Sequence, residues 1–220
     1  MAIDGPSGAG KGTVARAVAT SLGYRHVDTG AMYRAVGWKA VQDGIPLDSE
    51  EAVATLARAS DIAVEGGLVS IDGHDVTRAI RTPEIDKAAT AVARLPRVRE
   101  ILVARQRQMG ESGGVVMEGR DIGTVVFPNA DVKIYLDASP QERARRRATD
   151  PAHTGSKAGQ AAVAEAIQAR DKSDSTRAAS PLAVAADAIR LDTTDMPIEK
   201  VVSTVLDLVR NAAAEGAPRS

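Results

Sequence analysis

The chain contains no cysteine, which excludes a disulfide framework and thiol catalysis. Aromatic residues are scarce: one Trp, three Tyr and one Phe in 220 residues, so the core falls to Trp38 and to aliphatic stripes. Only three histidines are present. His26, His74 and His153 are scattered without metal-ligand spacing, and a structural or surface role is expected for each. No apolar run reaches membrane length and no signal peptide is evident, so a cytoplasmic protein with no membrane partner is expected. The net charge of −1 argues against non-specific nucleic-acid binding. Lysine is also sparse: seven lysines stand against twenty-one arginines. Genome composition accounts for most of that bias, but arginine's planar fork also suits recognition of phosphate. What remains is 44% apolar, enough to fold and to bury one sizeable core.

Against this background Gly5 to Thr13, GPSGAGKGT, stands out. Short apolar Met1-Ala2-Ile3 precedes it, and Val14, Val18 and Leu22 follow at helical spacing. Strand, glycine-rich turn and helix is the context that a phosphate-binding loop needs. Glycines let backbone N–H groups converge on an anion, and the helix N-terminus adds partial positive charge. Gly5, Pro6, Ser7, Gly8, Ala9, Gly10, Lys11, Gly12 and Thr13 are therefore expected to cradle ATP, with Lys11 reaching the outer phosphates. In the common pattern a Ser or Thr follows the lysine and binds magnesium. Here Gly12 follows, so no direct side-chain ligation of metal is expected from the loop.

The rest alternates. Gly23 stops the first helix, and Tyr24 to Asp28 reads as a strand. Thr29-Gly30 opens a helix over Ala31 to Gln42, closed near Gly44. Asp48 with Glu51 resembles a capping box that begins a helix ending about Ala59. Residues 61–76 read as short antiparallel strands joined by tight turns. Thr82-Pro83 and Pro96 each begin a helix. Val115-Val116-Met117 and Val132 to Leu136 read as buried parallel strands, and Pro140 begins a helix. Thr149 to Gly159 is polar and expected to be a mobile loop. Ala161 to about Asp171 reads as a helix, Ile189 to Asp192 as a last strand, and Ile198 to Leu208 as a closing amphipathic helix before a loose tail from Glu215. The expected fold class is α/β, a mostly parallel sheet flanked by helices, with ligands beyond the carboxyl ends of the strands. Only four residues precede Gly5, so either the first strand is short or a few residues ahead of Met1 are missing.

Two further groups carry charge. Glu118-Gly119-Arg120-Asp121 falls at a strand's carboxyl end, where either a site or a loop salt bridge fits. Arg170, Asp174 and Arg177 share one face if helical, either as a site or as a surface ion pair. Arg143, Arg145, Arg146 and Arg147 are either a solvated face or a source of phosphate clamps beside the polar loop.

Together GPSGAGKGT, DTGAMYR (28–34), LPRVRE (95–100), EGRDIGTVVFP (118–128), KIYLDAS (133–139) and RDKSDSTRAASPL (170–182) resemble the bacterial cytidylate kinases, in the family's order. The glycine-rich loop is shared by many kinases; the 119–128 and 177–182 stretches are far more specific. The resemblance implies a single P-loop kinase-type domain. Its core would span about 1–28, 94–140 and 171–214, its monophosphate-binding part about 29–93, and its lid about 141–170. It implies phosphate transfer from ATP to CMP or dCMP with Mg²⁺, by a monomer with no nucleic-acid partner. It also implies roles: Arg34, Arg120 and Arg177 on the monophosphate; Thr90, Arg99 and Asp121 on the cytosine edge; Arg170 and Asp174 on the sugar hydroxyls; Arg146 and Arg147 as lid arginines. Lys11, Arg120, Arg146 and Arg147 would then be catalytic, and Thr29 joins the substrate-binding set. Thr29 and Thr90 replace serines common in that family, and Glu118 stands where aspartate also occurs. Two other readings fit the loop alone: a kinase of a hydroxyl acceptor, which would need a base such as Glu118 or Asp121, and a nucleotide-dependent switch.

Overall fold

The computed structural model describes residues 1–150 and 159–215. The polar loop thus falls mostly outside the described residues, as does the tail beyond Glu215. In chain order the strands are β1 (Ala2–Asp4), β2 (Arg25–Asp28), β3 (Ile62–Glu65), β4 (Leu68–Ile71), β5 (His74–Asp75), β6 (Val115–Gly119), β7 (Lys133–Asp137) and β8 (Ile189–Asp192). The helices are α1 (Lys11–Leu22), α2 (Thr29–Gln42), α3 (Glu50–Ala59), α4 (Pro83–Val92), α5 (Pro96–Gly110), α6 (Pro140–Ala148), α7 (Gln160–Thr176) and α8 (Ile198–Glu215), with a π-helical turn over Ile122–Val126. No described helix is long and apolar enough to cross a membrane.

The expected α/β class holds. Five strands form a parallel sheet in the order β2-β6-β1-β7-β8, and β3-β4-β5 form the small antiparallel sheet expected over 61–76. β1 is only three residues long but lies in the sheet's centre, buried throughout. Its alternation sends Ile3 to one face and Ala2 to the other. On the first face α1 and α8 pack Val14, Val18, Val201 and Val205 against Ile3, Val116 and Leu136. On the second, Ala2 and Met117 meet Val27, Val103, Ile122 and Val126. A third cluster joins α2, α3, α4 and α5 to the antiparallel sheet through Met32, Val36, Val53, Ile71, Ile85 and Leu102. With so few aromatics, these aliphatic contacts carry the cohesion, at roughly 1.5–3 kcal/mol for each large side chain buried.

Register places the chemistry. Asp4 lies opposite Gly119 and Tyr135, and Asp28 lies opposite Glu118, so the carboxyl ends of β1, β2 and β6 finish level. Capping fixes where the neighbouring helices start. Asp28 Oδ1 accepts from Ala31 N at 3.0 Å, and Thr82 Oγ1 accepts from Ile85 N at 3.3 Å, with Pro83 at the first helical position.

Two local expectations are corrected. α3 is capped by Ser49, not Asp48, and without a side-chain cap bond. Its first-turn carboxylates turn outward to α5 instead: Glu50 accepts from Arg97 N at 2.8 Å and Glu51 pairs with the Arg97 guanidinium. Tertiary pairing displaces the capping box. α7 continues five residues past Asp171 to Thr176, which brings Asp174 into the helix. The Ile122–Val126 stretch, whose β-branched residues carry no helical signature, winds into the π-helical turn because Val125 N, Val126 N and Phe127 N find carbonyls of Asp121 and Ile122.

Candidate active site

The glycine-rich loop crosses from β1 to α1. Gly5 takes a positive φ of 151°, and a Cβ there would lie 2.0 Å from the Leu136 carbonyl oxygen, so only glycine fits. Lys11 is buried at the start of α1, and its Nζ donates to Pro6 O at 2.8 Å. Burial, joined by the nearby Arg120 cation, pulls the Lys11 ammonium down to about 7, while Glu118 pulls the other way. Removed from water and short of anions, this cation is poised for phosphate. The loop is stapled from outside. Asp171 Oδ1 accepts from Ser7 N at 3.1 Å, and Arg143 donates to Ser7 O at 3.0 Å while pairing with Asp171.

Glu118 explains the departure at position 12. Its Oε1 lies 3.2 Å from where a Gly12 Cβ would be, so a serine or threonine would press on a carboxylate. His26 Nε2 lies 2.9 Å from the same Oε1, and both side chains are largely buried. The histidine therefore has a structural role, here as the partner that fixes Glu118. Asp4 was missed by sequence reading. It is buried, with Oδ1 accepting from Ile122 N at 2.9 Å and Oδ2 from Gly123 N at 2.7 Å. Burial pushes its carboxyl up to about 6 even though those two N–H groups oppose the shift. Asp4 thereby anchors the π-helical turn and holds Asp121 in place from β1.

Beside the loop a narrow pocket is lined by Thr29, Tyr33, Thr90, Arg99, Arg120, Asp121, Arg170, Asp174 and Arg177, among others. Eight residues expected at the substrate are thus brought together, and Tyr33 is added. Arg99 Nη2 donates to Asp121 Oδ2 at 2.5 Å, and the Arg99 guanidinium lies 5.3 Å from the centre of the Tyr33 ring. Arg120 Nε donates to Asp174 Oδ2 at 2.9 Å. Arg177 lies 3.5 Å from both Asp121 and Asp174, and its Nε donates to Ser180 O at 2.7 Å. Burial pushes Asp174 up, but Arg120, Arg170 and Arg177 together hold its carboxyl below the usual range. Thr29 Oγ1 donates to Glu118 O at 2.7 Å, and Thr90 Oγ1 donates to Asp86 O at 2.8 Å. Asp174 and Arg177 are each only 5% exposed, which rules out a surface ion pair. Among the residues lining the pocket, the Tyr33 hydroxyl and Arg99 Nε are buried without a hydrogen-bond partner, and Arg177 Nη2 has only its 3.5 Å ion pair to Asp121. Orphans of that kind cost stability and mark a place for a polar ligand.

The arginine run divides. Arg145 is exposed and pairs with Glu142. Arg143 staples the loop. Arg146 donates to Thr193 Oγ1 at 2.9 Å, Thr193 O at 2.6 Å and Ala9 O at 3.4 Å, so it sits on the loop side. Arg147 turns toward α4, where Asp86 receives it together with Arg34 and Arg170. A wider open cleft of about 830 Å³ lies elsewhere, around α2 and α3, but its mixture of Lys39 with Asp43, Glu51 and Asp72 is unsuited to phosphate.

The chain is similar over nearly its whole length to proteins of one family. The model of the family described as cytidylate kinase matches residues 1–211. The cytidylate kinase of Desulfitobacterium hafniense (strain Y51) is 50% identical over 100% of this chain and 96% of its own length. That of Pelotomaculum thermopropionicum is 51% identical over 94% of this chain and 93% of its own. That of Bacillus subtilis (strain 168) is 47% identical over 95% of each.

Proposed function

Since the chain belongs to the cytidylate kinase family, we propose that it transfers the γ-phosphate of ATP to CMP or dCMP, giving ADP and the nucleoside diphosphate. The observation that carries this reading is the pairing of a buried Lys11 loop with a second buried, arginine-rich pocket that holds orphaned donors. A nucleotide switch needs no such second anion site. The acceptor is a phosphate oxygen already ionised at neutral pH, so no general base is required. Positioning and charge neutralisation carry the reaction.

In this reading Gly5 to Thr13 cradle ATP, with Lys11 on the transferring group and Arg146 tying the loop to the chain after β8. Arg34, Arg120 and Arg177 grip the monophosphate; Thr29, Thr90, Arg99 and Asp121 line the base side; Arg170 and Asp174 face the sugar; Arg147 comes from the lid. The division into a core, a monophosphate-binding part over 29–93 and a lid over 141–170 belongs to the same proposal. Magnesium fits the donor set in a limited way. Among the described residues no three acidic or histidine side chains cluster as a metal cage. Mg²⁺ is commonly held by one or two carboxylates plus substrate phosphates. Glu118, the carboxylate beside Gly12, would help hold it. When bound, the ion would neutralise charge on the nucleotide's phosphates.

The test is ATP consumption with CMP, dCMP, UMP, AMP and hydroxyl acceptors. Turnover stimulated by the cytidine monophosphates is expected; stimulation by a hydroxyl acceptor instead would overturn the proposal. A sharper expectation concerns Asp174. Asp174→Ala removes a charged acceptor and frees Arg120. It should lower kcat/KM for CMP and dCMP by roughly tenfold to a hundredfold, the scale of one charge-assisted hydrogen bond. The KM for ATP should change little. Equal loss toward both substrates would show that the carboxylate is only a fold element.

A further inference from the structure

Asp86 lies in the first turn of α4, outside every motif singled out in the sequence, yet it gathers three guanidinium groups from three other helices. Arg34 of α2 reaches its Oδ1 at 3.0 Å, Arg170 of α7 reaches the same oxygen at 3.2 Å, and Arg147 of α6 pairs with Oδ2. All four side chains are largely buried, between 8% and 18% exposed. Other carboxylates lie near each arginine, Asp28 by Arg34, Asp150 by Arg147 and Asp174 by Arg170, but among the described residues only Asp86 is shared by all three. Burial, with Arg34 and Arg120 close by, pulls the Arg170 guanidinium down to about 10, whereas burial at Arg34 is outweighed by Asp86 and Asp28, which hold it up. Arg147 is likewise lowered by burial, with Asp86 opposing. A phosphate dianion, with more charge and three oxygens, matches three forked donors better than a carboxylate does.

We propose that Asp86 is an exchangeable counter-ion. It assembles Arg34, Arg147 and Arg170 in the ligand-free protein and gives Arg34 and Arg147 up to the substrate's phosphate groups. The proposal rests on the phosphotransferase reading above, because that reading puts Arg34 and Arg147 on phosphate. Asp86 is a positioning residue in this scheme. It keeps the three guanidinium groups near one another, at the cost of competition with the incoming anion. Asp86 O accepts the Thr90 hydroxyl at 2.8 Å, so the helix turn that carries the counter-ion also carries a residue lining the pocket.

The experiment is binding of inorganic phosphate to ligand-free protein, by calorimetry, for the unmodified chain, Asp86→Asn and Asp86→Glu. Asparagine keeps the shape and removes the competing charge. Asp86→Asn is expected to bind phosphate about tenfold more tightly or better, as loss of a charged competitor implies. Asp86→Glu, which keeps the charge, should stay near the unmodified affinity. A merely structural aspartate would give equal or weaker binding in Asp86→Asn, and that result overturns the proposal. Should Asp86→Asn fail to fold, a crystal structure of the unmodified protein with CMP and an unreactive ATP analogue decides. Asp86 must then have parted from Arg34 and Arg147, and retained contacts overturn the exchange. Phosphorylation of CMP by the unmodified protein is measured separately. Its absence would remove the phosphotransferase reading, whereas equal phosphate affinity would remove only the role of Asp86.

Discussion

Lys11→Ala is expected to give a stable, folded protein whose turnover falls on the order of 10²-fold or more, the scale seen when one preorganised electrostatic contact to a transition state is removed. Stability should survive because Lys11 contributes little cohesion. Its ammonium is buried, makes its one hydrogen bond to Pro6 O, and is held at a pKa of about 7 by the cost of burial. Deleting it removes an uncomfortable cation rather than a staple. Catalysis should not survive, because the attraction between this cation and the transferring phosphoryl group grows as charge moves in the transition state. The lowered pKa adds a pH signature. Lysine acts when protonated, and in the ligand-free protein its protonated fraction falls as pH climbs through about 7. The unmodified enzyme should therefore lose kcat/KM for ATP above that pH, since this parameter reports the free enzyme. Lys11→Ala should lose that limb of the profile along with its activity. Wild-type turnover in Lys11→Ala would remove the loop from the chemistry.

How much of this was legible in the sequence varies with the range of the interaction. The loop was readable because its requirements are local: a strand, glycines that permit close backbone approach, a lysine and a helix start fall within about twenty residues. The parallel sheet was readable for a similar reason, since Val115-Val116-Met117 and Val132 to Leu136 are short apolar runs between turn signals. The antiparallel insertion showed in its turn glycines. What failed to show was long-range pairing. Asp48 and Glu51 carried a capping signature, but Arg97, 46 residues after Glu51, took the carboxylate. Asp4 looked like the end of a strand; only the fold shows that it anchors Ile122 and Gly123, 118 and 119 residues away.

The arginines make the same point more sharply. Arg143, Arg145, Arg146 and Arg147 are near neighbours in sequence, and no local property distinguishes them. The helix points one at the loop, one at solvent, one at the chain after β8 and one at α4, because 100° steps separate successive side chains. Asp86 was invisible for the opposite reason. A first-turn aspartate beside Pro83 is what any helix start prefers. Its partners arrive from Arg34, Arg147 and Arg170, and no sequence window contains all four. Eight residues named through the family resemblance line one pocket, while Arg34 and Arg147 meet at Asp86 instead; Asp4 and Asp86, which hold neighbouring groups in place, had no comparable signature.

Base selectivity follows from how Asp121 and Arg99 are held, and its test has a large expected effect. Cytosine offers an amino donor at position 4 and acceptors at N3 and O2; uracil offers an acceptor at position 4 and a donor at N3. Asp121 lines the pocket at the end of β6, fixed behind by Asp4 through the π-helical turn, and Arg99 lies against it with Nε still unpaired. The carboxylate can accept from the cytosine amino group while the guanidinium donates to N3 or O2. UMP would set its O4 against the carboxylate and its N3–H against the guanidinium, leaving buried polar groups unpaired on both sides. Sites that hydrogen-bond their substrate in this way can reject the wrong ligand by about 10⁴-fold, less where water enters. The unmodified protein should therefore prefer CMP over UMP strongly at neutral pH. In Asp121→Asn the side-chain amide can turn to present either a donor or an acceptor, so the preference should erode even though CMP use also falls. Part of that fall is structural. Arg99 and Asp121 form a buried pair, and breaking such a pair costs roughly 3–5 kcal/mol, so the thermal midpoint should drop as well. The ratio of the two kcat/KM values separates these effects, because loss of fold lowers both substrates equally and leaves the ratio unchanged. A preserved ratio in Asp121→Asn would take the base-reading role away from Asp121. Equal use of CMP and UMP by the unmodified protein would remove the cytosine assignment itself and leave the phosphotransfer intact.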